Sequence, residues 1–532
     1  MLVLLARRAT TILPPLMFAV AATAAGMSCA YAAGNNGSAQ ISSARHGSLP
    51  SLRGAAYRPD DFAKSGRGHP VHPLPFLDGP GNQRDAAVQG STSGIAAPVL
   101  GSGVPGLGVG FKGFSVNSAP PDTSGAVGAT QYVQVVNTGF AVFSKSTKAV
   151  VFGPAPTNTL WQGFGGPCEN DNDGDAVVVY DKAANRWVIS QFAVSATPYK
   201  QCVAISKTSD ATGGYWLYEF NYGSVFPDYP KIGVWPDAYY ITFNMFTSTF
   251  QGAKLCAYDR ARMLTGAAAT QQCFQLSSSF GGVLPADRDG ATAPPTGAPN
   301  YLLNFGSSKL NLWKFHVNWK TPASTTLTGP IAIPVASFAT ACGGGSCVPQ
   351  FGVQQKLDSL GDRLMYRLAY RNFGTHESLV VSHSVKVGTT HRNPYTGVRW
   401  YEIRSPGTTP RVYQQSTFSP NSTFRWMPSI AMDKVGDIAV GYSASSTSIN
   451  PAIRYTGRLV TDPLNTLQTE ATILSGTGSQ TGSNLARWGD YSTMTLDPGD
   501  DCTFWYSTEY LRNNGAFNWS TQIASFKYST CK

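Results

Sequence analysis

Charged side chains are scarce in this sequence, at 13% of 532 residues. A helical bundle or coiled coil needs many more Glu, Lys and Arg to cover its wet faces, so both are poor fits. Long hydrophobic runs are missing beyond the N-terminus, which leaves no later segment able to span a membrane. No Cys-x-x-Cys occurs and the histidines stand far from the cysteines, which argues against a cysteine-based metal or redox site. Gly-x-Ser-x-Gly, His-Glu-x-x-His and Ser-x-x-Lys do not occur in a suitable context, and there is no phosphate loop or haem motif. His376, Glu377 and His383 fall in one hairpin region, where they read as satisfied hairpin residues. What is abundant points to strands and turns: 55 glycines, 12% aromatics and 42% hydrophobic residues, enough for a large core.

The N-terminus has the layout of a secretory signal peptide over 1–32. Arg7 and Arg8 supply the positive end, 12–25 the apolar stretch, and Ala30-Tyr31-Ala32 the small-residue cleavage site. Export to the extracellular space or periplasm is expected, with the mature chain starting at Ala33. Removing Cys29 with that segment leaves eight of the nine cysteines. They fall as near neighbours, and the expected pairs are Cys168 with Cys202, Cys256 with Cys273, Cys342 with Cys347, and Cys502 with Cys531.

Residues 33–110 are Gly, Ser, Pro, Ala and Asn with scattered charge and no apolar period, so they read as a flexible, low-complexity leader. It contains His69 and His72, read as part of a solvated linker. From 111 onward a loose repeat appears: apolar strand, polar turn, apolar strand. The clearest copies are 176–192, 231–243, 429–443 and 492–507, with poorer ones at 128–142, 300–317 and 364–382. Seven copies at this spacing predict an all-β, seven-bladed β-propeller over 111–532, with six or eight blades as the neighbouring solutions.

Arg487-Trp-Gly-Asp-Tyr-Ser492, Asp228-Tyr-Pro-Lys-Ile-Gly-Val-Trp-Pro-Asp237, and Gly174-Asp175 with Tyr180-Asp181 resemble a group of secreted bacterial propellers of the sialidase-like or BNR superfamily. The resemblance covers about 115–532 and implies a propeller and export, without an assigned reaction. The superfamily's Asp-box is absent, as is a Tyr-Glu nucleophile pair, so sialidase activity is not implied.

Set in register, the repeats place an acidic residue just before the first strand of most copies: Asp122, Asp175, Asp228, Asp289, Asp362 and Asp490. First strands line a propeller's channel, so these would ring one mouth. Paired carboxylates suit glycosidic bond cleavage, and crowding raises one proton affinity. The same aspartates also suit backbone latches between blades, and the two roles can coexist. Arg363, Arg425 and Arg487 are candidates to hold an anionic group. Tyr491 and Trp488 are candidate sugar contacts. The run from Glu169 to Asp175 alternates carboxylates and amides, making Asp171, Asp173 and Asp175 candidate Ca²⁺ ligands, though the twelfth-position Glu of an EF-hand is missing.

The formal charge is +10, or +8 without Arg7 and Arg8. It is dispersed, which argues against a nucleic-acid partner. The expected protein is a secreted, monomeric propeller enzyme, a glycosidase (hydrolase) or polysaccharide lyase, acting on an extracellular polysaccharide, acidic or neutral, or on a cell-surface glycan. The alternative is a non-catalytic carbohydrate-binding or protein-binding adhesion propeller.

Overall fold

Short runs rich in Val, Ile, Tyr and Phe form strands, and Asp, Asn and Gly close the turns between them. The computed structural model describes residues 37–55, 74, 85–90, 98–112, 114, 116, 118–388, 394–482 and 485–532. The expected signal peptide and the His69/His72 pair lie outside the described residues. Among these residues the strands gather into seven consecutive antiparallel units of four. Six cover 124–156, 177–223, 226–275, 284–334, 365–418 and 424–474, and the seventh joins 493–527 to 99–108.

The innermost strands are Ser124–Val127, Val177–Asp181, Phe226–Val234, Leu284–Asp289, Met365–Asn372, Phe424–Met432 and Thr493–Leu496. Each packs against the next, and the last returns to the first, closing the ring. The fold is therefore the propeller that the repeat spacing predicts. At the seam, Thr493 Oγ1 donates to the Thr123 carbonyl at 3.2 Å. The seventh blade needs both chain ends, because Val99–Gly108 is its outermost strand, antiparallel to Trp519–Lys527. The core lies between blades, where Trp161, Trp187, Trp235, Trp313, Trp400, Trp426, Trp488 and Trp519 are fully buried. All four disulfides join the sequential cysteine pairs.

The leader departs from expectation. Arg45–Leu49 adds a fifth strand to the second blade, and Gln40–Ser43 does so for the third. Further on, the buried Asp85 ion-pairs with Arg399 and accepts the Thr417 hydroxyl at 2.7 Å. The propeller thus recruits chain well before residue 111. Composition hid this because backbone ladders do most of the docking: Gln40–Ser43 is exposed along its whole length, and Arg45–Leu49 buries only Leu49.

Asp85→Ala would leave Arg399 buried without its anion, a change that typically costs about 3–5 kcal/mol. Denaturant melts of the variant are expected to report a loss of that size. A loss within about 0.5 kcal/mol, as for an ordinary surface change, would mean that this contact does not anchor the leader.

Candidate active site at the channel mouth

The innermost strands all run the same way round the ring, so their starts share one end of the channel. At this end six of them carry a residue with left-handed backbone: Asp122 (φ 49°), Asp175 (45°), Tyr229 (60°), Gly282 (58°), Met427 (51°) and Asp490 (59°). Asp tolerates that conformation better than most residues, and Gly takes it freely. Part of the repeating aspartate signal is therefore a backbone requirement. Tyr229 and Met427 hold the same conformation without that tolerance, which marks this end as one where local strain is retained.

Four of the expected carboxylates come together here. Asp122 sits against Asp175, its N–H donating to the Gly489 carbonyl at 3.0 Å and its Oδ1 buried without a hydrogen-bond partner. Burial, and then the charge of Asp175, push Asp122 well above the usual carboxylate range. Asp175 Oδ2 accepts the Tyr229 N–H at 3.2 Å. Half-buried Asp228 is pushed up to about 7 by burial and by Asp175, against the pull of Arg363, Arg487 and Lys231. Asp490 pairs with Arg487 and keeps a buried Oδ1 without a hydrogen-bond partner. Asp362 lies beside this group, chelating Arg363 at 2.7 and 2.9 Å and accepting the Leu74 N–H at 3.3 Å.

Asp289 is a correction. It ends its innermost strand instead of preceding it, and lies at the opposite end of the channel. Lys182 and Arg367 both pair with it, Arg367 at 2.5 Å, and together they hold it down at about 2 despite burial. The register slipped because the innermost strand, Leu-Pro-Ala-Asp-Arg-Asp, looks unlike a strand. The apolar pair 300–317 is the second and third strand of that blade.

Arg425 is a second correction. It is wholly buried in the sixth blade, bound to Glu470 at 2.6 and 2.9 Å, and reaches no ligand surface. Trp488 is a third: its ring is buried against Trp426 and its Nε1 donates to Ser443 Oγ at 3.1 Å, leaving no face for a sugar. Tyr491 does reach the cluster, but as a lid over Lys231, with Nζ 3.4 Å from its ring centre. Arg363 also faces the cluster, 4.6 Å from the centre of the Tyr229 ring. His383 is buried with its Nε2 bonded to Tyr401 Oη at 3.0 Å, while its Nδ1 is buried without a hydrogen-bond partner, so the expectation of a satisfied histidine holds for one ring nitrogen only.

The expected Ca²⁺ loop spreads its oxygens. Glu169 accepts the N–H groups of Gly163 and Gly165, and Asp173 accepts the Val194 N–H and Ser195 hydroxyl at 2.6 and 2.7 Å. Asp171 lies next to Asp173 and is raised to about 6, first by burial and then by that neighbour. Asp175 is turned toward Asp122 and Tyr229. Among the described residues no three His, Cys, Asp or Glu side chains are grouped so as to hold a metal ion.

Two contributors escaped the sequence. Lys231 is 1% exposed amid the aspartates, and burial brings its ammonium down to about 7. The signal was visible as a lone lysine inside an apolar strand, Tyr-Pro-Lys-Ile-Gly-Val-Trp. Glu509, in the seventh blade, accepts the Gly489 N–H at 2.5 Å and is raised to about 8 by burial. It holds Gly489, the residue whose carbonyl receives the Asp122 N–H.

No family model and no curated protein matches this chain. Among solved structures it is similar to a GH43 endo-arabinanase from Bacillus licheniformis, at 11% identity and a TM-score of 0.26, over 56% of this chain and 96% of that one. An endo-arabinase from Bacteroides thetaiotaomicron gives 11% and 0.26, over 55% and 95%. A protein of unknown function from Dyadobacter fermentans gives 9% and 0.24, over 81% and 100%. At these TM-scores the likeness carries neither a residue nor a reaction to this chain. No helix among the described residues is long and apolar enough to cross a membrane.

Asp289 separates the structural aspartates from the others. Its depressed proton affinity contributes stability that is present above the ordinary Asp range and lost as pH falls from about 4 toward 2. Asp289→Asn is therefore expected to lower the melting temperature at pH 7 and to converge with the parent near pH 2. A deficit independent of pH would refute this assignment.

Proposed function

We propose that this protein is a secreted glycoside hydrolase that cleaves a glycosidic bond in an extracellular polysaccharide at the channel mouth. The observation that carries the reading is Asp228: a half-buried carboxyl raised to about 7, adjacent to a second carboxylate, Asp175. A carboxyl that keeps its proton near neutrality, set beside a second carboxyl group, is the arrangement this chemistry needs. Asp228 gives its proton to the leaving oxygen as the C–O bond breaks. Asp175 serves the anomeric centre, either attacking it or taking a proton from the incoming water. Asp122, whose proton affinity is raised by burial and by Asp175, hydrogen-bonds Asp175 and holds it in place.

Of the acidic and neutral glycans that the sequence leaves open, the charge balance favours a neutral one. Arg363 is engaged by Asp362 and Arg487 by Asp490, so neither is disposed to receive a carboxylate sugar. The same pairing disfavours a lyase, which needs a cationic partner for the uronate while a base removes the adjacent proton. The N-terminal layout and four disulfides, which persist in oxidising compartments, support export.

The test is product release from a panel of neutral and acidic polysaccharides, with Asp228→Asn as the comparison. Turnover is expected to fall as pH rises through about 7, where Asp228 loses its proton. The variant should lose about 10²–10⁴-fold in kcat, the usual worth of a positioned proton donor. Unchanged turnover in the variant would overturn the assignment. Binding of one glycan without any product would favour the adhesion alternative.

A further inference from the structure

Taking the mouth as the proton-transfer centre just proposed, its remaining puzzle is the buried lysine. Lys231 follows a bulge in its strand, between the register positions Asp228–Asn244 and Lys231–Thr242. The bulge contains Tyr229 in its left-handed conformation, which turns that ring under the lysine side chain. Nζ then lies 3.8 Å from the ring centre of Tyr229 and 3.4 Å from that of Tyr491, and donates to the Pro230 carbonyl at 2.9 Å. Two aromatic faces and one carbonyl make a built cage for an ammonium.

The charges around that cage come from several blades. Asp122 faces it from the first, Asp175 from the second and Asp228 from its own strand, while Arg363 opposes it from the fifth. Arg487, just before the seventh blade, acts on Asp122 and Asp228 from the far side. With Asp362 on Arg363 and Asp490 on Arg487, the two guanidiniums are internally balanced. Three carboxyl groups then face the one remaining cation of the cluster.

We propose that Lys231 is the positioning residue of this site: its caged amine gathers Asp122, Asp175 and Asp228 and, when it carries its proton, is the counter-ion that lets them share so small a volume. Without it, neighbouring carboxylates separate or take up further protons, since like charges in a dry site disfavour joint ionisation. The lysine touches no reacting atom and acts through the aspartates.

Thermal melts across pH test this without any substrate. Lys231→Met is expected to melt several degrees below the parent at pH 7, where the ionised share of the carboxyl groups loses its counter-ion and must take up protons to stay together. The deficit should close or reverse at pH 4.5, where a buried ammonium has lost most of its partners. Adding Asp228→Asn should recover much of the loss at pH 7. Lys231→Gln provides the same comparison should the methionine variant fail to fold. A deficit equal at both pH values and unrelieved by Asp228→Asn would overturn the proposal and leave Lys231 as packing. The two readings fail separately: retained turnover in Asp228→Asn sinks the hydrolase assignment, while the melts judge Lys231 alone.

Discussion

Seven strands meet around one axis, and the polar groups they carry must find partners in a neighbouring blade because little water reaches them. That constraint orders the rest of the molecule. Ser124 Oγ receives the Val178 N–H, Ser429 Oγ receives the Met494 N–H, and Tyr366 Oη donates to the Ile232 carbonyl across the channel. At the end opposite the mouth the charges are matched in pairs, Arg367 with Asp287 and Asp289, and Arg371 with Asp501. Buried pairs of this kind are costly to break, since removing one partner strands the other charge.

The mouth departs from this economy of pairing. Asp122 Oδ1 and Asp490 Oδ1 are buried without hydrogen-bond partners, and Asp228 and Glu509 both hold protons into the neutral range. Asp433, away from the mouth, is raised in the same way and also keeps an unpartnered oxygen, so it is the gathering of several such groups that marks the mouth as the place where another molecule is expected. Left-handed backbone at Tyr229 and Met427 adds strain at the same end. The ring supplies rigidity, and the strand starts supply the groups.

Much of this was legible in the sequence, for identifiable reasons. Blades two, three, six and seven announce themselves because apolar strands flank short polar turns such as Asp433 to Asp437, where Asp433 Oδ1 accepts three backbone N–H groups. The disulfides were readable from spacing alone. Asp122, Asp175, Asp228 and Asp490 were placed together correctly because a strand-leading position recurs with the fold. Asp289 was misplaced where Pro285 and three charges disguise a strand. The leader's strands and the Asp85 anchor stayed hidden because ladder pairing leaves no periodic trace, and Arg425 because a single arginine gives no sign of Glu470 waiting 45 positions later. Lys231 was overlooked because a charge in an apolar run has meaning only once its neighbours from other blades are known.

The central claim is that sugar chemistry takes place at the Asp228 end of the channel. A structure of the protein bound to an oligosaccharide from whichever glycan it recognises tests that claim most directly. The account predicts a glycosidic oxygen within hydrogen-bond reach of Asp228, with the adjoining ring over Asp175. An oligosaccharide held elsewhere, such as the outer cleft lined by Gln89, Gln415 and Asn465, with the mouth untouched, would contradict it.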